Sequence, residues 1–122
     1  MTKTAALYNF FSQFGVNAYP SNNTPGKLVF PYLTYEVAIS GFLEGETAIV
    51  VNLWYYTTRE DIPNAKVEEI SKAIGLGGKT IRCDEGIIWI KKGSPFCKSL
   101  KDENEGTVKR RVINLSLEFL TE

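Results

Sequence analysis

The chain has 122 residues, 43% of them hydrophobic and 23% charged, which suits one folded domain, residues 1–122, with its own core and is too short for two. The 14 Lys and Arg balance the 14 Asp and Glu, which removes any global electrostatic pull toward nucleic acid or an acidic membrane surface. There is no histidine, which excludes Ser-His-Asp and Cys-His catalysis, His-ligated metal sites and the usual general base near neutral pH.

No apolar run approaches the ~18 residues of a membrane span. The start, MTKTAALYNFF, lacks the long apolar core and small-residue cleavage site expected of a secretion signal. Cys83 and Cys97 are too few for a disulfide framework or a zinc site. They read as buried or idle thiols in a reducing compartment.

Taken in chain order, Thr4 to Phe14 predicts a helix. Leu7, Phe10, Phe11 and Phe14 fall at i, i+3, i+4 and i+7 and make one apolar stripe. Thr2 or Thr4 is placed to cap its start, and Gly15 stands where a helix-ending glycine belongs. GVNAYPSNNTPGKLVFP is turn-rich, with a short edge strand over Val16 to Tyr19 that Pro20 stops. Tyr32 to Ile39 alternates, with Leu33, Tyr35, Val37 and Ile39 on one face, and predicts a half-buried strand. SGFLEGE is the turn after it.

Thr47 to Tyr56 is apolar on both faces apart from Asn52 and rich in β-branched and aromatic residues, as a central strand is. A second helix follows, with Asp61 as cap, Pro63 in the first turn and Val67, Ile70 and Ile74 as its stripe. Glu68 and Glu69 are adjacent on it, diverge, and form no paired-carboxylate site. Lys79 to Cys83 and Ile87 to Lys91 predict a hairpin about the turn Asp84-Glu85-Gly86. Ser94 to Gly106 has no clear period and many charges, so it reads as a long loop. Arg111 to Phe119 alternates again and predicts a long, half-buried last strand. No strand-helix-strand unit repeats. The expected fold class is α+β: a mainly antiparallel β-sheet with two α-helices packed on one face, plus a β-hairpin.

AIGLGGKT, Ala73 to Thr80, ends like a phosphate-binding loop but fails the test. The first glycine of that pattern would stand at position 73, which is Ala73. The helix also precedes the glycines, so the loop sits at the helix end of the wrong polarity for an anion. Its glycines read as a helix stop and a turn into a strand. The dinucleotide pattern fails at Thr80. Lys91, Lys92, Lys98, Lys101, Lys109, Arg110 and Arg111, with Trp89 and Phe96 among them, make the C-terminal third basic. That would suit nucleic acid, but Asp102, Glu103 and Glu105 share the segment, the aromatics fit a core pattern, and no binding motif appears.

TAALYNFFSQFG, NAYPSNNTPGKLVFPYLTYEV, AIVVNLWYYTTREDIPNAKVEEISKAI and the span from TIRCDEGIIWI to VINLSLEFL follow one another in a layout covering nearly the whole chain. It resembles the tail terminator proteins of long-tailed bacteriophages, also called tail-completion or tail-to-head joining proteins, a group that small prophage minor capsid proteins overlap. FPYLTYEV and VNLWYYT carry most of the likeness. The resemblance implies a structural virion protein and no enzyme, with no catalytic, cofactor-binding or metal residues to carry over. It implies a hexameric ring on the head-proximal end of the tail, made in the host cytoplasm, that stops tube polymerisation and joins the head. Its partners would then be further copies of itself, the tail tube protein and the head connector or stopper, with no membrane and no specific nucleic acid. In that setting Lys98, Lys101, Asp102, Glu103 and Glu105 of the Ser94 to Gly106 segment are expected to order against a neighbour. Arg59 and Asp61 are expected at ring contacts, the alternative for all of these being plain solvent exposure. Two other readings stand beside this one: another head-tail connector subunit, such as a stopper or adaptor, and a nucleic-acid or peptide-binding module using the basic third.

Overall fold

The computed structural model describes residues 1–36, 46–101 and 107–121. Helix α1 (Lys3–Ser12) opens the fold. Thr2 caps it, its hydroxyl accepting the Ala5 N–H at 3.1 Å, which satisfies one orphan donor of the first turn. The predicted stripe of Leu7, Phe10, Phe11 and Phe14 is buried. Phe10 meets Phe11 and Phe14 edge-on at 5.2 and 5.5 Å, a favoured arrangement for aromatic quadrupoles. Gly15, at φ 75°, lets the chain turn away where a side chain would strain it.

Two short strands follow, β1 (Asn17–Pro20) and β2 (Tyr32–Tyr35). They pair in parallel, Asn17 opposite Tyr32 through Pro20 opposite Tyr35. The expected mainly antiparallel sheet is therefore a mixed one. The turn-rich residues 21–31 are the reason: they are long enough to cross back and re-enter in the same direction, where a tight turn would have reversed the chain. β2 is also not half-buried. All four of its residues are buried, because Tyr32 on the second face stacks on Trp54 at 4.9 Å and lies against Phe30. The rest of the predicted strand, Val37 to Ile39, and the SGFLEGE turn up to Gly45 lie outside the described residues.

β3 (Glu46–Tyr56), α2 (Asp61–Ile74), β4 (Lys79–Cys83), β5 (Gly86–Lys101) and β6 (Val108–Thr121) complete the chain. The sheet runs β1-β2-β3-β6-β5-β4, antiparallel beyond its first pair. β3 is central, as its two apolar faces predict. α1 and α2 share one core with the inner face of the sheet. Phe11 stacks on Tyr35 at 4.4 Å, and Ile70 and Ile74 of α2 join Ile49, Val51, Leu53, Ile88, Ile90, Ile113, Leu115 and Leu117 in that core. Burying each such side chain contributes about 1.5–3 kcal/mol.

Strand β5 overturns the loop expected from Ser94. Pairing with β6 breaks only between Lys92 and Cys97, then resumes from Cys97 opposite Ile113 to Lys101 opposite Lys109. Residues 93–96 thus bulge opposite Asn114, whose side-chain amide donates to the Pro95 carbonyl at 3.0 Å. The bulge changes the phase of the strand. Ile88 and Ile90 point into the core before it, and Cys97 packs against the core after it. A segment with two phases shows no single period, which is why it read as irregular. Residues 102–106 lie outside the described residues.

The glycine-rich turn after α2 holds the geometry expected of a helix stop. Gly75 takes φ 77° and its N–H donates to the Ser71 carbonyl at 2.9 Å. Gly78, at φ 87°, passes so close to Trp89 that a Cβ would lie 2.5 Å from the indole nitrogen. That indole donates to the Gly77 carbonyl at 2.9 Å. Phe96 packs against the core as its pattern predicts; Trp89 does not, and serves this turn instead.

Candidate assembly surface

Register fixes which candidate residues share an end of the sheet. Tyr56, the last residue of β3, pairs with Val108 at the start of β6. Lys101, the last residue of β5, pairs with Lys109. Beyond the ladder, the Thr57 N–H donates to the Thr107 carbonyl at 2.6 Å. The chain then turns through Arg59 and enters α2 at Asp61. Arg59 and Asp61 therefore stand at the same end as the β5–β6 connection. Exposed Lys98 lies on β5 opposite Val112. For Lys101 only the place in the ladder is described, and Asp102, Glu103 and Glu105 fall outside the described residues.

Arg59 and Asp61 form a two-pronged pair. Nε donates to Oδ1 at 3.0 Å and Nη2 to Oδ2 at 2.6 Å. Both side chains are exposed, and the Arg59 hydrogen bonds hold the Asp61 carboxyl below its ordinary range. This pairing replaces the predicted cap. The residue in the capping position is Glu60, and its side chain makes no cap hydrogen bond.

Glu60 is engaged elsewhere. One carboxylate oxygen accepts from Arg111 Nη2 at 2.5 Å, and the other lies 3.3 Å from Lys109 Nζ. Arg111 Nε also donates to Asn64 Oδ1 at 3.0 Å. The hydrogen bonds from Arg111 and then Lys109 push the Glu60 carboxyl down. Arg111 is only 2% exposed, and a guanidinium so deep requires a carboxylate partner. Glu60 was missed in the sequence, although one signal pointed to it. Arg111 stands in phase with Ile113, Leu115, Leu117 and Phe119, and a cation on that face implies an acid nearby.

Three other cations of the basic third also have partners within the chain, of different kinds. Lys91 donates to Glu118 at 3.0 Å, lies 3.4 Å from Glu46, and sits 4.4 Å above the Trp89 ring. The hydrogen bond to Glu118 comes first among the causes that raise its pKa. Arg110 gives two hydrogen bonds to Asn52 Oδ1, at 3.0 and 2.8 Å, beside the Trp54 ring. Lys92 lies over Phe96 at 5.4 Å. Lys91, Lys92 and Arg110 are thus held by neighbours in the chain, while Lys98 is exposed.

Among the described residues, Met1, Tyr8, Val29, Phe30, Tyr56, Ile62, Leu76 and Leu120 are large apolar side chains left in solvent. At the Tyr56 end, Val29 is 58%, Phe30 37% and Tyr56 61% exposed, with the Phe30 ring 5.8 Å from that of Tyr56. At the turn after α2, Leu76 is fully exposed. A cleft of about 250 Å³ lined by Thr2, Lys3, Thr4, Asp84 and Glu85 is crossed by ion pairs from the N-terminal amine to Asp84 and from Lys3 to Glu85. Among the described residues no three Cys, Asp or Glu side chains converge to hold a metal, and no helix is long and apolar enough to cross a membrane.

No protein-family model matches the chain, and no curated protein matches it. In fold the chain is similar to a chain of a solved structure described as the virion of a native gene transfer agent particle. The TM-score is 0.60 at 17% identity, over 96% of this chain and 93% of that one. At that identity the likeness is one of fold.

Proposed function

We propose that this chain is a structural subunit of a phage-like particle, a single domain that caps the end of the tail tube as a ring, stops polymerisation and joins the tail to the head. The observation that carries this reading is the fold likeness to a chain of a virion over nearly the full length of both. It agrees with the sequence layout that resembles tail terminators. Stopping a polymer needs no chemistry. It needs one face complementary to the last tube ring, another for the connector, and sides that pair with neighbouring copies. A heterologous contact that closes by rotation makes such a ring, here a hexamer. Arg59, Asp61 and Lys98, with Lys101, Asp102, Glu103 and Glu105 beside them in the chain, are the proposed contact residues. The localisation that follows is the head-proximal end of the tail.

The test is electron microscopy of particles from a phage or prophage lacking this gene. Overlong, headless tails are the expected result. Tails of normal length beside unjoined heads would make the chain a connector subunit of the stopper or adaptor kind. Normal virions would overturn the assembly reading.

A further inference from the structure

Helix α2 buries Pro63, Ile70 and Ile74, and its opposite side faces solvent. By helical periodicity Ala65 and Lys72 point most directly away from the core, with Glu68 and Ile62 on either side of them. All four are exposed. Most charges around the helix are already used within the chain: Asp61 by Arg59, Glu69 by Lys66, and Glu60 by Arg111 and Lys109. Glu68 and Lys72 are different. Neither has an ion-pair partner among the described residues, although they stand one turn apart on the same helix, the acid nearer its start. An acid and a base so ordered are their own complement when the helix is laid against a reversed copy of itself.

We propose that α2 packs antiparallel against α2 of a second copy, about a two-fold axis level with Ile70. Glu68 of each copy then lies beside Lys72 of the other, and both free charges are paired twice over. The charges alone set this register, and the uncharged positions agree with it. The same register sets Ala65 level with Gly75 of the other copy, where a Cβ would meet nothing within 4 Å, so no side chain holds the helices apart. It also brings Leu76, fully exposed, level with the turn that carries Ile62 and Ala65 of the other copy. Ile62, 38% exposed, gains an apolar neighbour there. Antiparallel packing sets the positive pole of each helix beside the negative pole of the other. One helix pair buries less than the ~1,200 Å² of a standard interface, so the pairing is weak and concentration-dependent. The contact is isologous and closes at two copies. It builds no ring, and it stands independently of the terminator reading.

The test is a concentration series in sedimentation velocity on the full chain, its Glu68→Lys and Lys72→Glu variants, and an equimolar mixture of the two variants. The wild type is expected to dimerise. In Glu68→Lys both crossings bring two ammonium groups together, and in Lys72→Glu two carboxylates, so each variant alone should self-associate about tenfold more weakly. In the mixture each crossing again holds an acid against a base, and dimer should return to near the wild-type level. A wild type that stays monomeric at the highest soluble concentration, variants that dimerise as the wild type does, or a mixture that fails to recover would each overturn the contact. A second measurement needs no variant. Light and heavy-isotope wild-type chains are mixed and treated with a carbodiimide. Cross-linked peptides joining Glu68 of one isotope to Lys72 of the other support the contact; dimer linked elsewhere, or no mixed-isotope peptide, overturns it. The gene-deletion particles report on the terminator reading separately.

Discussion

Ile49, Val51 and Leu53 of β3 lie beside Ile113, Leu115 and Leu117 of β6 with almost no solvent contact. One residue along on either strand, Asn52 binds Arg110, and Ser116 donates to Glu46 at 2.7 Å. The two faces of this strand pair share a backbone and differ in what holds them. The inner face is held by exclusion of water. The outer face adds polar pairs that water can replace to the stacking of Trp54 on Tyr32. At Arg111 the two modes meet, an ion pair carried to the edge of the apolar layer.

That contrast predicts very unequal costs. Leu115→Ala on the inner face should lower unfolding free energy by about 2–5 kcal/mol, read from denaturant midpoints. Ser116→Ala on the outer face should shift the midpoint far less, and similar losses at the two positions would break the distinction. Gly78→Ala tests a third kind of constraint. The new Cβ would meet the Trp89 indole and the Ile90 carbonyl, at 2.5 and 2.7 Å, in a backbone at φ 87°. A loss of about 1–3 kcal/mol is expected, with a change in tryptophan fluorescence as Trp89 moves; an unchanged protein would mean the turn is loose.

Tyr35→Phe should act in the opposite direction. The Tyr35 hydroxyl is buried with no hydrogen-bond partner among the described residues, and burial pushes its pKa up to about 12 from an ordinary 10.0. Removing an unpaired hydroxyl should hold stability or raise it by about 1 kcal/mol. Because the folded pKa is raised, the wild type loses stability as pH climbs from the unfolded value near 10 toward about 12, and the variant should lose less there. The acid side sharpens the view of the outer pairs. Glu46, Glu60 and Asp61 all have lowered pKa values through hydrogen bonds, chiefly from Ser116, Arg111 and Arg59 respectively. Their contribution is present above the unfolded carboxylate values of about 4 and fades as pH falls through the lower folded values. Glu60→Gln should flatten that acid limb in pH-dependent melting. Asp61→Asn, in a pair open to solvent, should change it least.

The helices and β6 were legible because a single face dominates each of them. Leu7 through Phe14 announce a helix by spacing alone, and the β6 alternation from Arg111 to Phe119 survives into the structure residue for residue. What was not legible depended on partners distant in sequence. The parallel pairing of β1 with β2 is set by where residues 21–31 carry the chain, which no local pattern encodes. Burial of Tyr32 and Thr34 on the second face of β2 needs neighbours, and for Tyr32 these are the rings of Phe30 and Trp54. The Ser94 segment hid its strand behind a change of phase. Of the candidate contact residues, Arg59 and Asp61 stand together as a pair, while the residue that organises their neighbourhood, Glu60, shows its role only once Arg111 is known to be buried beside it.

The bulge in β5 has a practical side. Four residues there oppose a single residue of β6, so the two halves of the ladder take their phase from β6 and not from the number of residues between them. Exposed Ser94 is thus a point where the chain can be lengthened without turning a core side chain outward. A short epitope or fluorophore inserted there is expected to leave the fold intact. The same insertion one strand over, at Asn114 in β6, would turn every residue beyond it to the other face whenever it adds an odd number of residues. Ser94 is the natural handle for following this chain by light or antibody.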